Sequence, residues 1–214
     1  IYDVARCNWR DKIKKGIAAS GGGEENFFPV YCTNPFRMPA GPEITKKEEE
    51  SETAVFVISR IAGEGADRQA EGGDYFLTEE EHCRLEAVCR LYQNVVIIVN
   101  AGGQIDLSFL DEFCNIKGLL ILVQPGMEGG NALADILSGK VNPSGKLTDS
   151  WAYQYEDYPN SETFSHNNGN VEREYYEEGI YVGYRYFDTF GIPVRYEFGF
   201  GLSYTEFALS DCTV

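Results

Sequence analysis

Histidine is almost missing from these 214 residues: only His82 and His166 occur. A serine or cysteine triad draws its base from an imidazole. His82 stands in the acidic start of a helix and His166 in a polar loop, so both read as solvated surface residues. Neither Ser59 nor Ser144 has the sharp strand-to-helix elbow that presents a nucleophile, so triad hydrolysis is not expected. The six cysteines (Cys7, Cys32, Cys83, Cys89, Cys114, Cys212) are scattered with no Cys-x-x-Cys pair, which argues against a zinc or redox centre. They read as free thiols in a reducing compartment, so a cytoplasmic location is expected, any leader lying outside these residues. Basic residues are few, 18 Lys and Arg against 34 Asp and Glu, a net charge of −16. That balance repels phosphate backbones and anionic lipid, so nucleic acid and membrane are not expected partners, whereas a neutral ligand meets no such barrier. Long apolar runs are absent too: Val95 to Val99 and Leu119 to Val123 are far short of the roughly 20 residues a membrane helix needs.

What is present is ordinary for a folded domain, 43% hydrophobic and 24% charged residues, enough for one core. Residues 1–52 are poorly patterned, with a basic stretch from Arg10 to Lys15, Gly21-Gly22-Gly23 and prolines 29, 35, 39 and 42. They read as an irregular lead-in belonging to the same domain as 53–214. Thr53 to Arg60 is a continuous β-branched and aromatic run without alternation, the pattern of a strand buried on both faces. Thr78-Glu79-Glu80-Glu81 fits a capping box, and Leu85, Val88, Cys89 and Tyr92 recur at helical spacing. Asn94 to Asn100 reads as a second buried strand, Leu107 to Phe113 as helical, Gly118 to Gln124 as a third strand and Asn131 to Leu137 as a helix. Strands alternating with helices predict an α/β fold: a three-layer sandwich with a mostly parallel sheet flanked by helices. The aromatic tail, Tyr181 to Phe187 and Arg195 to Gly201, predicts a C-terminal β-hairpin-like closure.

In open α/β sheets ligands collect beyond the carboxyl ends of the strands, which directs attention to the turns after Arg60, Asn100 and Gln124. The first holds Glu64 between Gly63 and Gly65, with Arg60, Asp67 and Arg68 near enough in sequence to hold the loop by ion pairs. Taken alone, Gly-Glu-Gly is a weak signal, and an ordinary solvated loop glutamate is the favoured reading. Glycoside hydrolysis needs one carboxylic acid to protonate the departing oxygen and a second carboxylate about 5 Å away in retaining enzymes, and Glu64 is a candidate for the first. The second turn, Asn100 to Gln104, lacks the Gly-x-Gly-x-x-Gly of a dinucleotide site. The third, Gln124 to Asn131, offers Glu128 as a rival acid; its plainer reading is tight strand-to-helix packing. Gly139 to Lys146 fails as a phosphate loop, because its glycines are too far apart and Leu147 stands where Ser or Thr is required. The acidic clusters Glu48-Glu49-Glu50 and Glu79-Glu80-Glu81 lack calcium-loop spacing and read as solvated faces.

The stretch Val57-Ile58-Ser59-Arg60-Ile61-Ala62-Gly63-Glu64-Gly65-Ala66-Asp67-Arg68 closely resembles the acid/base loop of bacterial family-three glycoside hydrolases, notably β-glucosidases. Gly126 to Gly139, Val141-Asn-Pro-Ser-Gly-Lys-Leu147, and Tyr176 to Asp188 continuing to Tyr196–Phe207 resemble the same family's second domain, in order and spacing. The resemblance implies a retaining β-glycosidase in which a TIM-barrel domain supplies an aspartate nucleophile and most sugar contacts. This domain would close the site and supply the acid/base, which by the loop match is Glu64, on a neutral β-glycoside, with no metal or organic cofactor. The barrel, which takes about 250 residues, is absent here, as is the family's first strand with its glycine-rich loop. The chain is therefore expected to be a piece of a larger enzyme, inactive alone. The alternative is a non-catalytic carbohydrate-binding or interaction module that kept the fold without the barrel.

Overall fold

The computed structural model describes residues 44, 46, 51–60, 67–164, 172, 173, 175–208 and 210. The lead-in over 1–52 thus lies almost wholly outside the described residues. The chain divides into two compact units after Gln124.

The first unit is built on a parallel sheet of three strands in the order β1-β2-β3: β1 is Thr53–Ser59, β2 Asn94–Asn100 and β3 Ile116–Ile121. Helix α1, Glu79–Leu91, connects β1 to β2 and packs on both. The fold is α/β, as the alternation of patterns predicts. The centre of the sheet is β2, whose Val95, Ile97, Ile98 and Val99 are all fully buried. Because neighbouring side chains on a strand point to opposite faces, the burial of Ile97 and Ile98 together means that both faces of β2 are covered. Leu85 and Val88 of α1, with Ile105, Leu107 and Phe109 beyond β2, complete the core.

The expectation that β1 is buried on both faces is corrected. Among the described residues it is an edge strand, and its residues alternate, Ile58 buried while Val55 and Val57 are 41% and 52% exposed. An apolar run signals extended backbone, but the number of covered faces depends on where the strand falls in the sheet. The helix expected over 107–113 is a single 3-10 turn, Ser108–Asp111.

Both ends of α1 are closed by side chains. Thr78 Oγ1 accepts from the Glu81 amide at 3.1 Å and Glu81 Oε2 accepts from the Thr78 amide at 2.9 Å, the reciprocal capping box. At the other end Asn115 Nδ2 donates to the carbonyls of Cys89 and Tyr92, each at 2.8 Å, satisfying acceptors that a helix terminus leaves unpaired.

The second unit begins with helix α2, Gly129–Leu137, and ends around α3, Tyr184–Phe190, and an antiparallel ribbon of β4, Trp151–Ala152, with β5, Val194–Tyr196. An antiparallel closure is present, but its arms are not those expected: Tyr196 pairs with Trp151 and Val194 with Ala152, and Tyr184–Phe190 is helical. Two left-handed glycines bracket that helix, Gly183 with φ 63° and Gly191 with φ 66°, and Gly191 is the ordinary helix stop. Tyr186 and Phe190 meet across one turn at 5.2 Å, and Phe187 buries itself edge-on to Tyr158 at 5.9 Å.

The sequence motifs of this unit hold one another. The Leu147 amide donates to the Phe200 carbonyl at 2.9 Å and the Gly199 amide to the Leu147 carbonyl at 2.8 Å. The Tyr204 amide donates to Asn142 Oδ1 at 2.8 Å, Asn142 Nδ2 to Ser203 Oγ at 2.6 Å, and Tyr204 Oη to the Ile136 carbonyl at 2.9 Å. Lys146 donates to the Gly201 carbonyl. The segment that superficially suggests a phosphate loop is thereby tied to the FGFG turn.

Candidate functional site

The site is sought at the carboxyl end of β1, at Arg60, with Asp67 and Arg68 the next described residues in sequence. Residues 61–66, Glu64 among them, lie outside the described residues; what the structure defines is how the two flanks are held.

Arg60 follows β1 directly, and its amide donates to the Asn100 carbonyl at 3.0 Å, extending the sheet register by one residue. Its side chain is 3% exposed, so the guanidinium is costly to bury unless every donor finds a partner. All of them do. Nη1 donates to Glu81 Oε1 at 2.7 Å and to the Ser59 carbonyl at 2.9 Å, Nη2 to Glu81 Oε2 at 3.0 Å and to the Phe76 carbonyl at 3.2 Å, and Nε to the Asp74 carbonyl at 2.7 Å. Five bonds use the five N–H groups of a guanidinium, and the paired bonds to Glu81 are the planar fork that arginine offers and lysine does not. Because Glu81 is also the reciprocating residue of the capping box, one carboxylate joins the end of β1 to the start of α1.

On the far flank, Arg68 Nε donates to Asp74 Oδ1 at 2.5 Å, Nη2 to the Asp74 carbonyl at 2.8 Å and Nη1 to the Gln104 carbonyl at 2.6 Å. Asp74 Oδ2 accepts from the Gln69 amide at 2.6 Å. The Asp67 carbonyl accepts from Gln69 Nε2 at 3.1 Å. The glycine-rich turn after β2 takes part here: a Cβ on Gly103 would stand 3.0 Å from Arg68 Nη1, so the absence of a side chain is what lets the guanidinium reach Gln104. The neighbouring Asp106 amide donates to the Tyr75 carbonyl at 2.8 Å, fastening the 69–76 segment to the same turn.

The carboxylates that the structure sets opposite Arg60 and Arg68 are Glu81 and Asp74. Glu81 was visible from sequence only as a helix-capping residue, and Asp74 gave no signal beyond its place after Gly72-Gly73.

Glu128, the rival acid, belongs to the second unit. It is exposed, precedes α2, and its Oε2 accepts from Asn131 Nδ2 at 2.6 Å. Within this unit Gly129 is buried, and a Cβ there would stand 2.4 Å from the ring of Pro125. His82 Nε2 lies 2.8 Å from Glu112 Oε2 on an exposed face.

Comparison with known proteins places this scaffold. The chain is similar to a β-glucosidase of Ruminococcus albus, 43% identical over 175 residues, which cover 81% of this chain and 18% of that protein. It is also similar to β-glucosidase A of Butyrivibrio fibrisolvens, 37% identical over 223 residues, covering 86% of this chain and 26% of that protein. Among solved structures it resembles β-glucosidase 3B of Thermotoga neapolitana in complex with glucose, with a TM-score of 0.72 and 36% identity over 92% of this chain and 28% of that one. The chain thus spans about a fifth to a quarter of the length of the relatives it matches. Residues 10–184 match the model of the glycosyl hydrolase family 3 C-terminal domain, and the chain belongs to that family.

Proposed function

We propose that this chain is the acid/base-bearing domain of a retaining β-glycosidase of the β-glucosidase type, hydrolysing O-glycosyl bonds, and that Glu64 is the proton donor. The observation that supports this reading is the pair of held flanks at the carboxyl end of β1, where α/β sheets place their ligands: Arg60 is bound by Glu81 and Arg68 by Asp74, and Glu64 lies between them in sequence. In the first step an aspartate of a separate barrel domain attacks the anomeric carbon, the glycosidic C–O bond breaks, and the proton of Glu64 goes to the leaving oxygen. In the second, Glu64 as carboxylate takes a proton from water, whose oxygen displaces the aspartate from the sugar. To serve as an acid near neutrality Glu64 needs a raised pKa, which burial beneath the barrel would provide.

Three comparisons test this. With the barrel joined to this chain, Glu64→Ala is expected to lower turnover of glycosides with poor leaving groups by about 10² to 10⁴, and azide to restore turnover of activated ones. Glu128→Ala is expected to leave both unchanged; the reverse pattern overturns the assignment. The 214 residues alone are expected to leave an aryl β-glucoside intact and to gain activity when the barrel is supplied, whereas a purely binding module gains none.

A further inference from the structure

We propose that the second unit carries a binding cleft for one pyranose ring of a neutral saccharide, formed by Asn160, Glu177, Glu178, Tyr181, Tyr186 and Phe190. The cleft encloses about 220 Å³. Glu64 belongs to the first unit, and nothing in the cleft rests on its role.

Three stretches of chain make the walls. Tyr186 and Phe190 stand four residues apart on α3 and share one of its faces, their ring centroids 5.2 Å apart. Before the helix the chain turns tightly: the Tyr181 amide donates to the Glu178 carbonyl at 3.0 Å around Gly179, whose φ of 58° favours glycine. That turn sets the Tyr181 ring 5.1 Å from Phe190 and brings Glu177 and Glu178 to the same cleft. Asn160 follows a pinned segment, in which Tyr158 meets the buried ring of Phe187 edge-on at 5.9 Å. These contacts hold rings and backbone and leave the polar ends unused. Among the described residues, no hydrogen bond or ion pair engages the side-chain polar atoms of Asn160, Glu177, Glu178, Tyr181 or Tyr186. One such group on a surface is merely solvated; five around one cleft make a lining.

The lining selects its ligand by chemistry. Carboxylates only accept hydrogen bonds, the Asn160 amide donates and accepts, and each phenol can do either. A pyranose meets that mixture with hydroxyls that also do both, and its apolar C–H face suits the ring of Phe190, which is 57% exposed. No Lys or Arg lines the cleft, so an anionic ligand would face two like charges. An organic cation would satisfy the carboxylates and ring faces but give the amide N–H and phenol donors nothing to bind. The volume is below the roughly 300 Å³ at which sites for drug-sized ligands begin, which suits one sugar ring rather than a chain of them.

The test is a titration of the nitrogen-labelled 214-residue chain with D-glucose, followed by its amide resonances, with tetramethylammonium chloride as the competing probe. Glucose is expected to bind with a Kd of about 1 to 10 mM, the range open to so small a ligand, and to shift amides within 159–160, 177–181 and 184–190. Phe190→Ala is expected to weaken binding about tenfold by removing the ring surface, whereas Phe190→Tyr keeps the ring and the affinity. Glu177→Gln with Glu178→Gln should also cost about tenfold, since neutral acceptors replace charged ones. None of these three side chains is buried, so the fold should survive, as circular dichroism checks; should Phe190→Ala unfold, Tyr186→Phe, which deletes one hydroxyl, is expected to weaken binding several-fold. Tetramethylammonium binding these amides as tightly as glucose or more so, glucose shifts confined to other segments, no glucose binding, or one Kd shared by the parent and every folded variant overturns the proposal. Each of those results leaves the outcome expected for Glu64→Ala as it was.

Discussion

Arg60 and Arg68, on opposite sides of the Gly63-Glu64-Gly65 segment, donate to the same oxygen, the carbonyl of Asp74, at 2.7 and 2.8 Å. Their surroundings differ, and so should their sensitivity. Arg60 is 3% exposed and uses all five donors, while Arg68 is 23% exposed and makes three bonds. Arg60→Lys keeps the charge but offers a point donor where a fork is required. It is expected to destabilise the fold by about 2 to 3 kcal/mol, the scale of lost charge-assisted bonds and stranded buried carbonyls. Arg68→Lys should cost about 1 kcal/mol or less, since water reaches its partners. Urea unfolding followed by circular dichroism measures both; equal costs would mean that burial does not govern this cluster.

Glu81 serves two structures at once, and its loss should exceed that of the helix cap alone. Thr78→Ala removes the cap hydroxyl and is expected to cost about 1 kcal/mol. Glu81→Ala removes the same box and also strips the buried Arg60 of its counter-charge, for which about 3 to 5 kcal/mol is expected. The double variant should cost less than the sum of the two, because both act through the Glu81 carboxylate. Strict additivity in that cycle would show the cap and the ion pair to be independent.

These two residues also mark where sequence reading succeeds and where it stops. The capping box was legible because its bonds span three positions, Thr78 to Glu81, and nothing distant can rearrange them. Strand β2 was legible because an unbroken run of Val and Ile admits few other fates. The partner of Arg60 was not, because Glu81 lies 21 positions away and comes within reach only once α1 has packed on the sheet. The same limit hid the role of Gly103, which reads as one glycine of a loop until Arg68 is seen against it. Helix α3 was missed for a different reason: Tyr184 to Phe190 is rich in the aromatics that favour strands, and the deciding signals were the left-handed Gly183 and Gly191 at its ends. Membership of the family was legible throughout, since it rests on residue order.

Three glycines around the start of α2 look alike in sequence and should behave differently. A methyl group at Gly129 would stand 2.4 Å from Cγ of Pro125, a ring that cannot rotate away, so Gly129→Ala is expected to cost about 1 to 3 kcal/mol of overpacking. Gly126 has open space around it but a φ of 71°, so its alanine variant should cost about 1 kcal/mol for the left-handed backbone alone. Gly130 has open space as well and lies inside the helix, where alanine is favoured by up to about 1 kcal/mol. Thermal melts of the three variants should rank in that order, with Gly130→Ala at or above the parent; a destabilised Gly130→Ala would point to a neighbour pressed against this face.

Three free thiols are among the described residues, and their environments predict an order of reaction. Cys83 and Cys114 are exposed, whereas Cys89 is half-buried in α1. Burial, assisted by repulsion from Cys114, raises the Cys89 thiol above its ordinary value of 9.0. The thiolate is the reactive form, so at pH 8 a soluble alkylating reagent should label Cys83 and Cys114 first and Cys89 last, read peptide by peptide by mass spectrometry. The sign for stability follows from the same shift. The folded state holds the Cys89 proton more tightly than the unfolded chain, so the contribution is full below pH 9.0 and is lost as the pH rises from there through the raised folded value. Cys89→Ala removes that group, and its unfolding free energy should fall less steeply than the parent's across the alkaline range. Labelling of Cys89 as fast as Cys114 in the folded protein would show that α1 opens locally before the sheet does.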